Sequence, residues 1–168
     1  MTRERTYLDH NASSPLRPEA RAAMLAALDL AGNPSSVHSE GRAARAIIER
    51  SREAVARLAG VSPRQIVFTS GGTEALNWVL RSGFDTIIAS ALEHDAVLAA
   101  VQASEATAIE LPATSDGVID LVALEAMLAT AREKGRSALA LQLANNETGA
   151  IQPLAEAARM AKAAGVVV

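Results

Sequence analysis

The stretch FTSGGTEALN, Phe68 to Asn77, decides how the chain is read. An apolar run, Ile66-Val67-Phe68, meets two adjacent glycines, and a helical pattern begins directly after them. A strand followed at once by a helix is the repeating unit of a parallel sheet covered by helices. Two readings of the joint stand side by side. In one it is an ordinary strand-to-helix turn, with Glu74 complementing the positive start of the helix. In the other, Gly71 and Gly72 lack Cβ atoms so that bare backbone N–H groups can meet an anion, and Thr73 adds a hydroxyl. A carboxylate pointing into such a cradle repels the anion, so Glu74 is then expected to face away. No Gly-Lys-Ser/Thr follows the glycines, which excludes a P-loop, and GxGxxG is missing, which excludes a dinucleotide fingerprint. A ligand with one small phosphate fits.

Outward from this joint, five β-like runs are expected: QIVFT (65–69), TIIAS (86–90), TAIEL (107–111), ALALQLA (138–144) and VVV (166–168). Helical patterns separate them: TEALNWVL, HDAVLAAVQASE, DLVALEAMLATAREK and PLAEAARMAKAAG. Asp120 is placed to cap a helix start, and Gly135 and Gly165 to end helices. The alternation predicts an α/β fold, a mostly parallel sheet with helices on both faces. Residues 1–64 differ: a short arm, the helix RPEARAAMLAALDL with Pro18 in its first turn, the turn-rich GNPSSVHSEG, and a long helix ending at Gly60. Val166-Val167-Val168 reads as a core strand with nothing after it, and the expectation is that the chain is the front part of something longer.

Composition narrows the function classes. With 168 residues, 49% of them apolar, the chain can bury a sizeable core. No stretch reads as a membrane span, and MTRERTYLDHN lacks the apolar centre of a signal peptide. There is no cysteine, hence no disulfide and no thiolate metal site, and no metal is expected. These features point to the cytoplasm. The net charge of -3 is mild, and the arginines of GRAARAIIERSREAVARLAG alternate with Glu49 and Glu53. That pattern reads as a solvated helix face, so no nucleic-acid partner is expected.

Ligands of parallel sheets gather at the carboxyl ends of strands. Three such ends carry polar residues: Ser70-Gly71-Gly72-Thr73-Glu74, Glu93-His94-Asp95, and Asn145-Asn146-Glu147-Thr148-Gly149. His94 is either structural or an imidazole able to stack on a flat ring and move protons. Glu93 has capping-box spacing from Ser90. Asn145-Asn146 is either a turn or a neutral donor and acceptor for a ring substituent. Together they sketch a site for an aromatic monophosphate, with the phosphate on 71–73, the ring under His94 and its polar edge near Asn146. Pyridoxal phosphate is the natural candidate.

With these segments in view, the chain resembles the class V aminotransferases, and among them the cysteine desulfurases. YLDHNASSPLRPEA resembles the family's opening arm, GNPSSVHSEGRAAR a second signature, and IVFTSGGTEALN its phosphate turn. LEHDAV and ANNETGAIQPL resemble its histidine and asparagine segments. The resemblance implies the large domain of a fold-type-I pyridoxal-phosphate transferase, incomplete over 15–168, preceded by an arm over 1–14 that belongs to the family's small domain. It implies that Gly72 and Thr73 hold the phosphate of pyridoxal 5'-phosphate, that His94 stacks on the ring and acts as acid and base, and that Asn146 bonds cofactor or substrate. Asn11 and Ala12 of the arm lie near the substrate. Gln152 matches a motif position with no chemistry assigned, and Ser13-Ser14 replaces the usual Thr-Thr.

The implied reaction converts L-cysteine to L-alanine with sulfur left as an enzyme persulfide. It serves iron–sulfur cluster assembly in a cytoplasmic homodimer that meets a sulfur-acceptor protein. The family's Schiff-base lysine, its partner for the ring nitrogen and its nucleophilic cysteine are not found in this sequence, and Lys134 and Lys162 stand outside the lysine motif. The 168-residue chain alone is therefore expected to be inactive. Another class V reaction, such as selenocysteine lysis or transamination, and a non-catalytic binding or dimerisation remnant stay open as alternatives.

Overall fold

The structure is a computed structural model that describes residues 5–168. The first four residues of the expected 1–14 arm lie outside the described residues. The chain divides into two compact units, residues 1–68 and 69–168.

In the first unit, helix α1 (Pro18–Leu28) starts on Pro18, whose missing N–H lies where no intrahelical bond is made. Helix α2 (Ser39–Ala59) is capped by His38, whose Nδ1 accepts the Gly41 N–H, and ends on Gly60 in the left-handed region. Its charged face is largely exposed, with Arg52 and Glu49 paired at 3.2 Å. The expected strand 65–69 does not form. Pro63–Gln65 makes a 3-10 turn closed by a capping box from Ser62, which takes Gln65 out of the run. The Ile66 carbonyl accepts from the Arg52 guanidinium at 2.6 Å, Val67 is 61% exposed, and no neighbouring strand pairs with the segment among the described residues. A short apolar run without a partner does not define a strand.

The second unit holds the sheet. Helix α3 (Gly72–Leu80) leads to strand β1 (Thr86–Ser90), and helix α4 (Asp95–Gln102) to strand β2 (Thr107–Leu111). Helix α5 (Leu121–Arg132) follows, then strand β3 (Ser137–Ala140) and helix α6 (Leu154–Ala163). The strands lie in the order β2-β1-β3, all parallel, with Thr86 opposite both Thr107 and Ser137. The sequence reading of β1 and β2 matches residue for residue. The run expected over 138–144 leaves the ladder after Ala140, because the backbone groups of 142–145 bond to loops instead. The VVV segment contributes a single parallel bridge, Val167 to Ala138.

Alternation along β1 sends Ile87 and Ala89 to one face and Ile88 to the other. On the first face they pack with Leu80 of α3 and with Val97, Ala100 and Val101 of α4. On the second, Ile88 and Leu139 meet Leu124 and Leu128 of α5 and Ala157 and Ala161 of α6. Ile87 and Ile88 are fully buried, each contributing about 1.5–3 kcal/mol. The helices thus cover both faces. Asp120 caps α5 by accepting the N–H groups of Val122 and Ala123.

Candidate functional site

From β1 the chain steps to β2 on one side, then returns past β1 to β3 on the other. This reversal opens a crevice between the carboxyl ends of β1 and β3, where ligands of such sheets bind. Two loops meet there, residues 91–94 after β1 and 141–149 after β3. They line a hollow of about 270 Å³ whose walls include His94, Asp95, Asn145 and Asn146.

Side-chain bonds fix both loops. The Glu93 carboxylate accepts the Gln142 N–H at 2.6 Å, and the Leu92 carbonyl accepts from Gln142 Nε2 at 2.6 Å and Asn145 Nδ2 at 2.9 Å. Glu93 is therefore not the cap suggested by its spacing from Ser90; the cap of α4 is His94. Burial pushes the Glu93 carboxyl above its ordinary value, with the Gln142 N–H and the charge of His94 pulling the other way. Asn145 is buried, and its Oδ1 gathers the N–H groups of Glu147 and Thr148 at 2.9 and 2.8 Å. These bonds shape the turn that carries the exposed Asn146. Of the two asparagines, the first is structural and the second faces outward.

His94 is exposed at the N-cap of α4, and its Nδ1 accepts the Ala96 N–H at 3.0 Å. That bond assigns the proton of the neutral ring to Nε2. The 71–73 turn does not line the hollow. Its helix reaches His94 one turn further on, where Leu76, Val79 and Leu80 border an adjoining groove of about 360 Å³ that also includes Glu93 and His94. The 71–73 turn and the histidine accordingly open two helices, α3 and α4, that pack against the same face of the sheet. Asn11 and Ala12 belong to the first unit, on an exposed turn.

The backbone does not require glycine at 71 or 72. Neither Gly71, extended at φ 170°, nor Gly72 lies in the left-handed region, and a Cβ added to either meets nothing within 4 Å. Glu74 does not face away. Its carboxylate turns back to accept the Ser70 N–H at 2.5 Å, because an acidic side chain beside the positive end of a helix takes a nearby N–H that the helix leaves unpaired. Hydrogen bonds from Ser70 hold its carboxyl below the ordinary value. Gln152, given no role from sequence, is a buried staple: its Oε1 accepts the Ile119 N–H at 2.9 Å and its Nε2 donates to the Gly117 carbonyl at 2.8 Å. Sequence reading missed Glu93 and Gln142 as a bridge. The signal was a glutamine inside the apolar run ALALQLA, where a polar residue marks the strand's end.

Residues 6–168 match the aminotransferase class-V family. The chain belongs to that family. It is 41% identical to a cysteine desulfurase of Cereibacter sphaeroides over 98% of its own length and 44% of that protein's. With a cysteine desulfurase of Frankia sp. (strain EuIK1) the identity is 40%, covering 92% of this chain and 41% of the relative. The fold superposes on a NifS-like protein from Rickettsia africae with a TM-score of 0.87 at 32% identity, over 95% of this chain and 45% of that one. The chain thus spans less than half the length of the relatives it matches.

Class V aminotransferases use pyridoxal 5'-phosphate. Apart from Glu74, whose carboxylate lies on the Ser70 N–H beside the turn, the residues present fit this group. The space over Gly71 and Gly72 is open, and the N–H groups of Gly72 and Thr73 precede the helical ladder, so no intrahelical carbonyl pairs with them. Ser70, by contrast, has its amide taken by Glu74. His94 offers an exposed ring face on the same side of the sheet.

Proposed function

We propose that these 168 residues are the cofactor-binding part of a cysteine desulfurase, an enzyme that takes L-cysteine to L-alanine and leaves sulfur as a persulfide on an enzyme thiolate. The observation that carries the reading is the crevice at the chain reversal. It brings His94 and the Asn145–Asn146 turn together, and α3, which begins at Gly72, packs through Leu76 and Leu80 on the sheet face that α4 also covers.

In this reading Gly72 and Thr73 hold the phosphate through backbone N–H groups and the Thr73 hydroxyl. His94 would stack on the ring and hold or move a proton at Nε2, its Nδ1 being engaged by Ala96. Asn146 bonds the polar edge of cofactor or substrate. When bound, pyridoxal phosphate supplies an electron sink for a carbanion at the substrate's α carbon. Asn11 and Ala12 approach the substrate from the arm, residues 1–14, and residues 15–168 belong to the large domain. A cytoplasmic homodimer delivering sulfur to an acceptor protein for iron–sulfur cluster assembly completes the proposal.

By itself the chain is proposed to be inactive. It has no cysteine to supply a thiolate. Its two lysines stand where helices return to the amino edge of the sheet, Lys134 just after α5 and Lys162 in the last turn of α6, away from the carboxyl edge that holds His94.

The test titrates pyridoxal phosphate into the chain and into His94→Asn, which keeps a capping acceptor but removes the ring. Saturable binding is expected, weakened roughly three- to tenfold in the variant, the scale of one stacking contact. Borohydride is expected to trap no lysine adduct, and cysteine to release no sulfide. Equal affinity of the two proteins overturns the site. A trapped adduct with turnover of cysteine overturns the proposed inactivity.

A further inference from the structure

Glu93 is buried, the residue 7% exposed, yet its carboxylate forms no ion pair with lysine or arginine among the described residues. Burying a carboxylate is costly, and a position that only needed volume is served better by leucine or methionine. What the carboxylate does is specific. It accepts the Gln142 N–H at 2.6 Å, two residues past the end of β3. Gln142 answers with its own side chain to the carbonyl of Leu92, and Asn145 donates to the same carbonyl. Three hydrogen bonds thus join the chain at 92–93 to the chain at 142–145, across the mouth of the crevice.

We propose that Glu93 is a positioning residue of the cofactor site, whose carboxylate sets the His94 ring against the Asn146 turn by pinning their two loops together. The proposal rests on the functional reading above for what the arrangement serves, but the arrangement itself is a property of this chain. His94 follows Glu93 directly and Asn146 follows Asn145, so each end of the clamp is one residue from a group that faces the ligand. The two constraints on His94 divide the work. The clamp sets where the residue stands, and the bond from the Ala96 N–H to Nδ1 sets how its ring is turned. The upward pull of burial on the Glu93 carboxyl agrees with a group kept inside for its acceptor rather than its charge.

Two substitutions separate a positioning role from a packing role. Glu93→Gln keeps a carbonyl acceptor for the Gln142 N–H, whereas Glu93→Leu keeps comparable volume and removes it. Amide hydrogen exchange and the resonances of the His94 ring and the Asn146 side chain are read by NMR on the 168-residue chain without cofactor. Wild type and Glu93→Gln are expected to agree. Glu93→Leu is expected to exchange the Gln142 amide roughly tenfold faster or more, the scale of one charge-assisted hydrogen bond, and to shift both sets of resonances. Should the leucine variant fail to fold by circular dichroism, Glu93→Ala takes its place with the same expectation. Wild-type exchange and resonances in the apolar variant overturn the proposal, as does their loss in Glu93→Gln. Pyridoxal phosphate is then titrated into the folded variants, where affinity is expected to survive the glutamine and fall in the apolar variant. Unchanged affinity in a variant whose clamp is open also overturns the positioning role. Absence of binding to wild type overturns the functional reading instead, and the cofactor-free measurements still decide Glu93.

Discussion

At the amino edge of the sheet the chain closes on itself; at the carboxyl edge it ties two loops together and leaves His94 and Asn146 exposed beside them. Asp85, just before β1, accepts the Arg136 N–H at 2.7 Å and donates its own N–H to the Arg136 carbonyl at 2.8 Å. Arg136 lies over the Phe84 ring at 4.1 Å and bonds the Ser82 carbonyl at 2.6 Å. At the other edge, Glu93, Gln142 and Asn145 spend their polar atoms on backbone, and His94 and Asn146 stay exposed. Both edges carry a hollow, and the one at the amino edge is larger, about 480 Å³ against about 270 Å³. Volume therefore does not locate the site. The reversal of strand order does, because it sends consecutive helices to opposite faces and leaves the β1 and β3 loops facing one another.

If the amino edge serves stability alone, breaking it lowers stability and spares the ligand. Gly135 is the point to strike. Its φ of 102° suits glycine, and an added Cβ runs into the Asp85 carboxylate. Gly135→Val is expected to cost about 2–4 kcal/mol in chemical denaturation, combining backbone strain with the loss of the Asp85–Arg136 bond. Affinity of the folded variant for pyridoxal phosphate is expected to match wild type. Lost affinity in a fully folded sample would erase the distinction between the edges.

The carboxyl edge is expected to respond the other way round. Asn145→Ala removes the donor to Leu92 and the acceptor for Glu147 and Thr148, whose N–H groups lie near water. The stability cost is expected to be smaller, about 1–2 kcal/mol. Pyridoxal phosphate affinity is expected to fall more than this cost explains, because the Asn146 turn loses its shape. A variant that loses stability and keeps affinity shows that the turn is ordinary scaffolding.

How far the sequence reaches follows the same division. TIIAS and TAIEL are bounded by turns and stand beside each other in the sheet, so local pattern and tertiary pairing agree, and both were legible to the residue. QIVFT was not, since its first residue closes a 3-10 turn and the Ile66 carbonyl bonds to Arg52, fourteen positions earlier. Of the three strand ends expected to meet, the two that carry His94 and Asn146 line one hollow, whereas the 71–73 turn follows no strand and does not line it. Its support was hidden for one physical reason. The Glu93–Gln142 bond spans 49 positions, and its donor is a backbone amide that no choice of side chain announces. Glu74 was misread for a related reason: charge repulsion toward a ligand was weighed, and the attraction of an unpaired Ser70 amide was not.

The smallest expected change in stability comes with the sharpest question about the 71–73 turn. Gly72 opens α3 with an ordinary backbone conformation, and its missing Cβ faces no protein atom. If the glycine were there for the fold, alanine would be harmful, yet nothing in the structure resists it, and alanine is the better helix former. Gly72→Ala is therefore expected to change stability by no more than about 0.5 kcal/mol, in the stabilising direction. A ligand drawn close to the amides of Gly72 and Thr73 meets the new methyl group directly. Pyridoxal phosphate affinity is expected to drop roughly tenfold, comparable to losing one charge-assisted hydrogen bond. Pyridoxal, which lacks the phosphate, is expected to lose nothing. A loss for both ligands places the damage at the ring, and no loss for either leaves the paired glycines as a plain turn.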